Sequence, residues 1–254
     1  MHKISVIVPT YNRHKYLRNL LGCFLSQTYP EIELLICDDS DEPSTYLKAV
    51  SKEYPNIYYA HVPMRMTIGA KRNLLIRMAS GDFIAQFDDD DYYAPNYLEV
   101  MLANLQQQEV DFITLSRWFA YAIEDDCFAY WETDRFGQFI YEVGVDGVRQ
   151  VAHHMTTPNF IFGTLWGFGF SYFFKREVFE QVQFPDVNFA EDYYFYLQLK
   201  DVGFTSGHFP DEQGLVLHLL HPQSTSKIFP QYLLPSGLMP LIFPTIKSFL
   251  QKLE

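Results

Sequence analysis

Gly81-Asp82-Phe83-Ile84-Ala85-Gln86-Phe87-Asp88-Asp89-Asp90-Asp91-Tyr92-Tyr93-Ala94-Pro95 is the stretch on which the fold turns. Residues 83–87 form a short apolar run of the kind that makes a buried strand, and Tyr92 to Pro95 looks like the entry to a helix. Between them lie four consecutive aspartates. Adjacent carboxylates repel by about 3 kcal/mol per pair at ~6 Å and an effective dielectric of ~20, a ceiling that water lowers. A fold tolerates four of them at a strand end if they stay solvated, or if a cation sits among them. A solvated acidic turn is the plain reading, since charge runs are usually solvated. Position favours the cation, because ligands of open α/β sheets bind at the carboxyl ends of the strands.

Upstream, residues 3–8 are apolar and stop at Pro9-Thr10-Tyr11-Asn12, which predicts a first strand and a turn. Leu17, Leu20, Leu21, Phe24 and Leu25 recur at helical spacing, and that helix should end near Pro30. Residues 31–37 read as a second strand closed by Asp38-Asp39-Ser40-Asp41, 44–53 as a polar helix and 57–61 as a third strand. Gly69-Ala70-Lys71-Arg72-Asn73 opens a helix that ends at Ser80-Gly81, and Pro95 is placed to start the next, with Leu98, Met101, Leu102 and Leu105 on its apolar face. Residues 110–115 make a fifth strand. Strands alternating with helices predict a Rossmann-like, mostly parallel sheet flanked by helices. Right-handed crossovers would bring the Pro9, Asp38 and Asp88 segments to one sheet edge.

After residue 116 the texture changes to a smaller, mixed C-terminal half. Residues 117–165, rich in aromatic and acidic side chains, predict hairpins or long loops. Residues 167–174 read as a strand, 175–182 as a short helix, Asn188-Phe189-Ala190-Glu191-Asp192 as the opening of another helix and 215–219 as a late strand. The expected organisation is one domain over 1–226, with an N-terminal half (1–115) and a distinct C-terminal half (116–226). A helical tail, 227–254, interrupted by Pro230, Pro235, Pro240 and Pro244, suits packing on the domain, a homodimer interface or a peripheral membrane contact.

The 254 residues are 48% hydrophobic and 20% charged, a globular composition. A net charge of −12 argues against nucleic acid as a partner, which would need a basic stripe. Cys23, Cys37 and Cys127 are scattered, which fits a reducing compartment and no structural zinc. The first residues are too short for a signal peptide and no run is long enough to span a bilayer, so a cytoplasmic location is expected.

Together, Val8-Pro9-Thr10-Tyr11-Asn12, Cys37-Asp38-Asp39-Ser40, Gly69-Ala70-Lys71-Arg72-Asn73, Phe87-Asp88-Asp89-Asp90-Asp91 and Phe184 leading to Glu191-Asp192 resemble, in order and spacing, the family 2 glycosyltransferases of the GT-A fold. The likeness covers residues 3–226, except that 117–165 match nothing in it and the basic residue often found after the Glu-Asp element is absent. The resemblance implies an inverting transfer of sugar from a nucleotide diphosphate, a UDP-sugar, to a hydroxyl of a saccharide, lipid or protein, with Mn²⁺ or Mg²⁺. It implies Asp192 as general base, Asp90 as metal ligand and Asp88 toward the donor's ribose. It gives Pro9, Thr10 and Tyr11 to the base and ribose, Asp39 to the uracil N3–H, and Arg72, more than Lys71, to the nucleotide. Asp89 is counted with the donor-binding residues, although it and Asp91 could simply be solvated. Asp38 could equally cap the following helix. Lys71 and Arg72 start a helix, where cations oppose the macrodipole, which suggests an anionic partner.

Trp166 and Gly167 could form an acceptor-facing wall with Glu191, or Trp166 could be core. Of the late histidines, His221 before Pro222 is a better metal candidate than His218. Three other readings are weighed against these. A haloacid-dehalogenase-like phosphatase would end its first strand in the Asp pair, and a sugar-nucleotide pyrophosphorylase would need a Gly-rich loop there. A carbohydrate-binding protein on a disabled transferase remains as the non-enzymatic alternative.

Overall fold

The structure is a computed structural model that describes residues 1–134, 139–144, 147–152, 163–222, 224, 228–229 and 232–253. Its core is a curled sheet begun by β1 (Ile4–Thr10), β2 (Ile32–Asp38), β3 (Ile57–His61) and β4 (Phe83–Gln86). These pair in parallel in the order β4-β1-β2-β3. β1, β2 and β4 are almost wholly buried and mostly apolar because both faces are covered, whereas β3, at the sheet edge, leaves Tyr58 45% exposed. On one face lie α1 (Leu17–Leu25) and α4 (Tyr97–Gln107); on the other lie α3 (Ile68–Met78) and α5 (Glu191–Val202). The polar helix α2 (Thr45–Glu53) is capped by Ser44, whose hydroxyl accepts the Leu47 N–H.

The strand expected at 110–115 is longer. It is β6 (Phe112–Ala122), which runs through the expected 115/116 division without a break. Antiparallel partners of β6 are β7 (Cys127–Glu132) and β10 (Phe173–Lys175); parallel partners are β11 (Ser206–Pro210) and β12 (Val216–Leu220). Segment β10 lies antiparallel between β4 and β6. The strand expected over 167–174 is therefore only three residues long, and Gly169–Ser171 form a 3₁₀ turn instead. Residues 176–180 are likewise a 3₁₀ turn. Tyr92–Tyr93 do not open a helix: they form β5, paired with β12, and the helix begins two residues beyond Pro95 with Asn96 at its N-cap.

The hairpin expected within 117–165 is present as β6–β7 and again as β8 (Phe139–Gly144) with β9 (Gly147–Ala152), to which β13 (Ile228–Phe229) adds a third strand. The tail is not helical throughout. Its Tyr232–Leu234 segment, β14, joins the sheet edge beside β7 before the short helices α6 (Met239–Ile242) and α7 (Ile246–Leu250). Phe243, Ile246 and Phe249 are buried in the main core, and Asn19 ties α7 down through the Phe249 carbonyl at 2.9 Å. Much of the tail's apolar content is thus spent on the domain itself, although Leu241 stays 77% exposed. Among the described residues no helix is long and apolar enough to cross a membrane.

Candidate active site

The carboxyl ends of β1, β2 and β4 deliver Pro9-Thr10-Tyr11, Asp38-Asp39 and Asp88 to Asp91 to the same sheet edge, as the crossover argument requires. They line or flank a cleft of about 750 Å³, whose opposite wall comes from Gly167 to Phe170 and from Asn188 to Tyr193.

The four aspartates are not a solvated turn. Asp89, Asp90 and Asp91 are buried and only Asp88 is partly exposed. Asp89 accepts from the Thr10 hydroxyl at 2.5 Å and from Arg13 at 3.0 Å. Asp90 accepts from Arg13 and meets His221 Nε2 at 2.9 Å. Asp91 accepts the Leu219 N–H and meets His218 Nδ1, both at 2.8 Å. The expectation that Asp89 or Asp91 merely faces water is therefore corrected: both are enclosed and held. Carboxylate oxygens of Asp88, Asp90 and Asp91 lie within 4.8 Å of one another. Burial and then Asp91 push the Asp88 carboxyl up to about 8; burial and then Asp90 push Asp89 to about 6. Burial would raise Asp90 too, but the His221 hydrogen bond and Arg13 outweigh it and hold Asp90 below its ordinary value. Burial opposes the His218 charge, yet Asp91 lifts that imidazole to about 9. The cluster is under-compensated in positive charge at Asp88.

At the other end of the cleft Asp39 is fully buried. One oxygen takes Lys71 at 2.7 Å; the other takes Arg65 at 2.7 Å and the Met66 N–H at 2.8 Å. Lys71 also donates to the Thr10 carbonyl at 2.9 Å. The Arg65 guanidinium lies 3.3 Å from the centroid of the Tyr11 ring, so one face of that ring is already covered. Asp38 does not cap α2: it is bound by Ser40 and Tyr59, which hold its carboxyl low despite burial. The two cations at the start of α3 find their counter-charges inside the protein, Lys71 on Asp39 and Arg72 on Glu191, with Asp88 3.9 Å from Arg72.

Asp192 sits in the first turn of α5 directly after Ala190, a non-glycine residue in the left-handed region at φ 59°. Such strain, costing about 1–3 kcal/mol, gathers at functional sites. Asp192 accepts the Gly169 N–H at 2.8 Å and its own Tyr193 N–H at 2.7 Å. Burial, then Glu191, raise its carboxyl to about 6, with Arg72 opposing. A Cβ on Gly169 would stand 3.0 Å from Asp192 Cβ and 3.2 Å from Arg72 Nη2. Gly169→Ala should therefore displace the carboxylate and lower turnover about 10- to 100-fold, since misplacements of about 1 Å reach that size; steady-state kinetics with the donor KM as internal reference checks it. Trp166 is buried, stacked on Tyr196 at 4.1 Å between ring centres, while its neighbours Gly167 and Gly169 line the cleft. Of its two readings, the structure places it in the core. Glu191 is buried against Arg72, so its carboxylate supports the wall rather than standing free in it.

Sequence reasoning missed Arg13 and Arg65. Both lie in turns, three and four residues beyond a strand, where no periodicity marks a side chain as inward. The signal available was charge: a buried tetrad needs nearby cations, and Arg13 is the first one after Thr10.

The mixed α/β architecture, a mostly parallel sheet with acidic strand ends gathered at one cleft, is a GT-A fold. Residues 5–182 match the family model described as Glycosyl transferase family 2, and the chain belongs to that family. It is 27% identical over 197 residues to "Glycosyltransferase GlyA" of Streptococcus pneumoniae serotype 4, covering 76% of this chain and 27% of that protein. It is 30% identical over 110 residues to the Escherichia coli "UDP-Glc:alpha-D-GlcNAc-diphosphoundecaprenol beta-1,3-glucosyltransferase WfgD", covering 43% of this chain and 44% of that one. The chain thus spans less than half the length of these relatives. Among solved structures, S. aureus TarS 1-349 in complex with UDP-GlcNAc aligns over 87% of this chain and 60% of its own with a TM-score of 0.62 at 21% identity. The mannosyltransferase PcManGT of Pyrobaculum calidifontis, in complex with GDP-Man and Mn²⁺, covers 89% of this chain and 59% of its own at 0.60 and 17%. At these identities the likeness carries the fold.

Proposed function

We propose that this chain transfers a sugar from a UDP-sugar to an acceptor hydroxyl with inversion, Asp192 serving as general base and a divalent cation held by the aspartate cluster. The observation that carries the reading is that Asp192, with a carboxyl raised to about 6, lines the same cleft as Asp88 and Asp90, whose carboxylates cluster with that of the buried Asp91. The acceptor oxygen attacks the anomeric carbon, the bond from that carbon to the diphosphate breaks, and the hydroxyl proton passes to Asp192. A base works best with a pKa near the operating pH, and enclosure beside Glu191 moves Asp192 toward it. The Gly169 N–H and the strained turn at Ala190 fix its direction. Arg72 holds Glu191 back from the reacting proton, Tyr11 and Pro9 offer stacking surface for the nucleoside, and Asp39 would take the uracil N3–H by exchanging its contact with the half-exposed Arg65.

The cluster suits a hard cation: its donors are all carboxylate oxygens, the ligands Mg²⁺ and Mn²⁺ prefer, and Asp88 lacks a strong protein counter-charge. Asp88 and Asp90, with Asp91 behind them, would hold the ion, and His221 acts through Asp90. When bound, it supplies positive charge for the departing diphosphate. The UDP-GlcNAc complex of TarS supports a uridine donor, and the Mn²⁺ of PcManGT supports the ion.

A screen of UDP-glucose, UDP-galactose, UDP-GlcNAc and GDP-mannose for Mn²⁺-dependent hydrolysis tests the proposal. Nucleotide release from a UDP-sugar, abolished by EDTA and restored by Mn²⁺, is expected. Saccharide binding without release from any donor would favour the non-catalytic alternative.

A further inference from the structure

The loop before Asp192 carries an aromatic side chain that the core does not use. Phe189 is 73% exposed, yet it lines the cleft three residues from the carboxylate, and Tyr193 lines it on the other side of that residue. This exposure is not that of a loose tip. The Thr67 hydroxyl donates to Asp186 at 2.5 Å, the Ile68 N–H to Asn188 Oδ1 at 3.1 Å and the Gly69 N–H to the Val187 carbonyl at 3.3 Å. Asn73 closes the base of the loop through both the Phe184 carbonyl and the Phe184 N–H, at 2.8 and 2.9 Å. The approach is so close that a Cβ on Gly69 would fall 1.9 Å from the Pro185 carbonyl oxygen. The loop is riveted to the first turn of α3, and the chain then reverses at Ala190 in the left-handed region. Hydrogen bonds involving Thr67, Asn73, Asp186, Asn188 and the Gly69 N–H, not packing of its own ring, therefore hold the Phe189 loop at the mouth of the cleft.

We infer that Phe189 and Tyr193 form the platform on which the acceptor lies, and that the acceptor is a saccharide whose apolar C–H face rests on those rings; this deepens the transfer reading and rests on it. An aromatic face is electron-rich and rigid, and it suits the polarised C–H groups of a pyranose. The two rings share the cleft lining with hydrogen-bonding groups, among them Asn188, Asp192 and Thr164. A pyranose likewise combines an apolar face with a hydroxyl edge, whereas an alkyl chain needs a continuous apolar groove. With Trp166 stacked inside the core, Phe189 is an exposed ring that shares the cleft with the proposed base and can meet an acceptor from solvent.

The test uses the whole chain with Mn²⁺ and the best UDP-sugar. Acceptors are methyl β-D-glucopyranoside, methyl β-D-galactopyranoside and methyl N-acetyl-β-D-glucosaminide, with 1-O-octylglycerol as the alkyl alternative. Transfer to at least one pyranoside is expected. Phe189→Ala should raise its KM tenfold or more while the donor KM moves less than twofold, and Phe189→Trp should restore it. Leu241→Ala, equally exposed but in the tail, should change neither. An unchanged pyranoside KM in Phe189→Ala overturns the platform. So does transfer to octylglycerol alone, or donor hydrolysis with no pyranoside accepted. If the wild type releases nucleotide from no donor, the transfer reading falls by itself. Saturation-transfer NMR with the three methyl pyranosides then decides the platform: a ring-proton signal in the wild type that vanishes in Phe189→Ala upholds it, and a wild type that gives no signal, or a signal that persists in the variant, overturns it.

Discussion

Replacing Asp192 by Asn should reduce sugar transfer about 10²- to 10⁴-fold, the span that a positioned general base contributes, while the donor is still bound. Asn keeps the shape and one oxygen to accept the Gly169 N–H, so the wall of the cleft is largely kept while the proton acceptor and the hydrogen bond from the Tyr193 N–H are lost. Titration of UDP binding beside the steady-state rate separates the two effects; normal turnover in the variant would remove Asp192 from the reaction. The pH profile adds a second check. The base works ionised, so the wild-type rate should fall about tenfold per pH unit below the carboxyl's value of about 6, and the residual rate of the Asn variant should show no such step. Stability should move the other way. The folded protein holds this proton more tightly than the unfolded chain, where a carboxyl titrates near 3.9. Stability is therefore lost as pH rises from about 4 to about 6 and stays lost at neutral pH. The Asn variant should consequently be more stable at pH 7.5 by about 1–3 kcal/mol, visible as a higher midpoint in urea.

Asp90→Ala should have the second large effect, a loss of about 10³-fold in Mn²⁺-dependent turnover, because the charge stabilisation an ion supplies to a leaving group is worth several kcal/mol and each 1.4 kcal/mol is tenfold. The same substitution leaves Arg13 with Asp89 and removes the hydrogen-bond partner of His221 Nε2. The clean readout is thermal: Mn²⁺ should raise the melting temperature of the wild type and not of Asp90→Ala. A variant that keeps its Mn²⁺ response would move the ion away from this cluster.

The parallel strands, the flanking helices and the convergence of three polar turns were legible because each rests on a local signal: an unbroken apolar run, a helical stripe, a proline or acidic stop. What was not legible depended on partners far away in the chain. Segment 173–175 becomes a strand because β4 and β6 leave a gap of one strand between them, and nothing in Phe173-Phe174-Lys175 encodes that gap. Asp89 and Asp91 look like solvated charges until Arg13 and His218, 76 and 127 residues away, are found against them. Trp166 looks like a wall for a sugar until Tyr196 covers it. In the site, acidic residues could be named from sequence, but their counter-ions could not, because turns carry no periodicity from which inward and outward can be told.

β6 has a mechanical consequence for how substrates come and go. One strand of eleven residues bonds to β7, β10, β11 and β12, and through β10 it is stitched to the strand that ends in the aspartates. Jaw-like opening between β4 and β6 would have to unzip that shared ladder, so the sheet beneath the cleft should stay fixed while substrates enter. Traffic through the cleft must be admitted by side chains at the mouth, and a radius of gyration that stays constant on adding UDP is the corresponding signature in small-angle scattering.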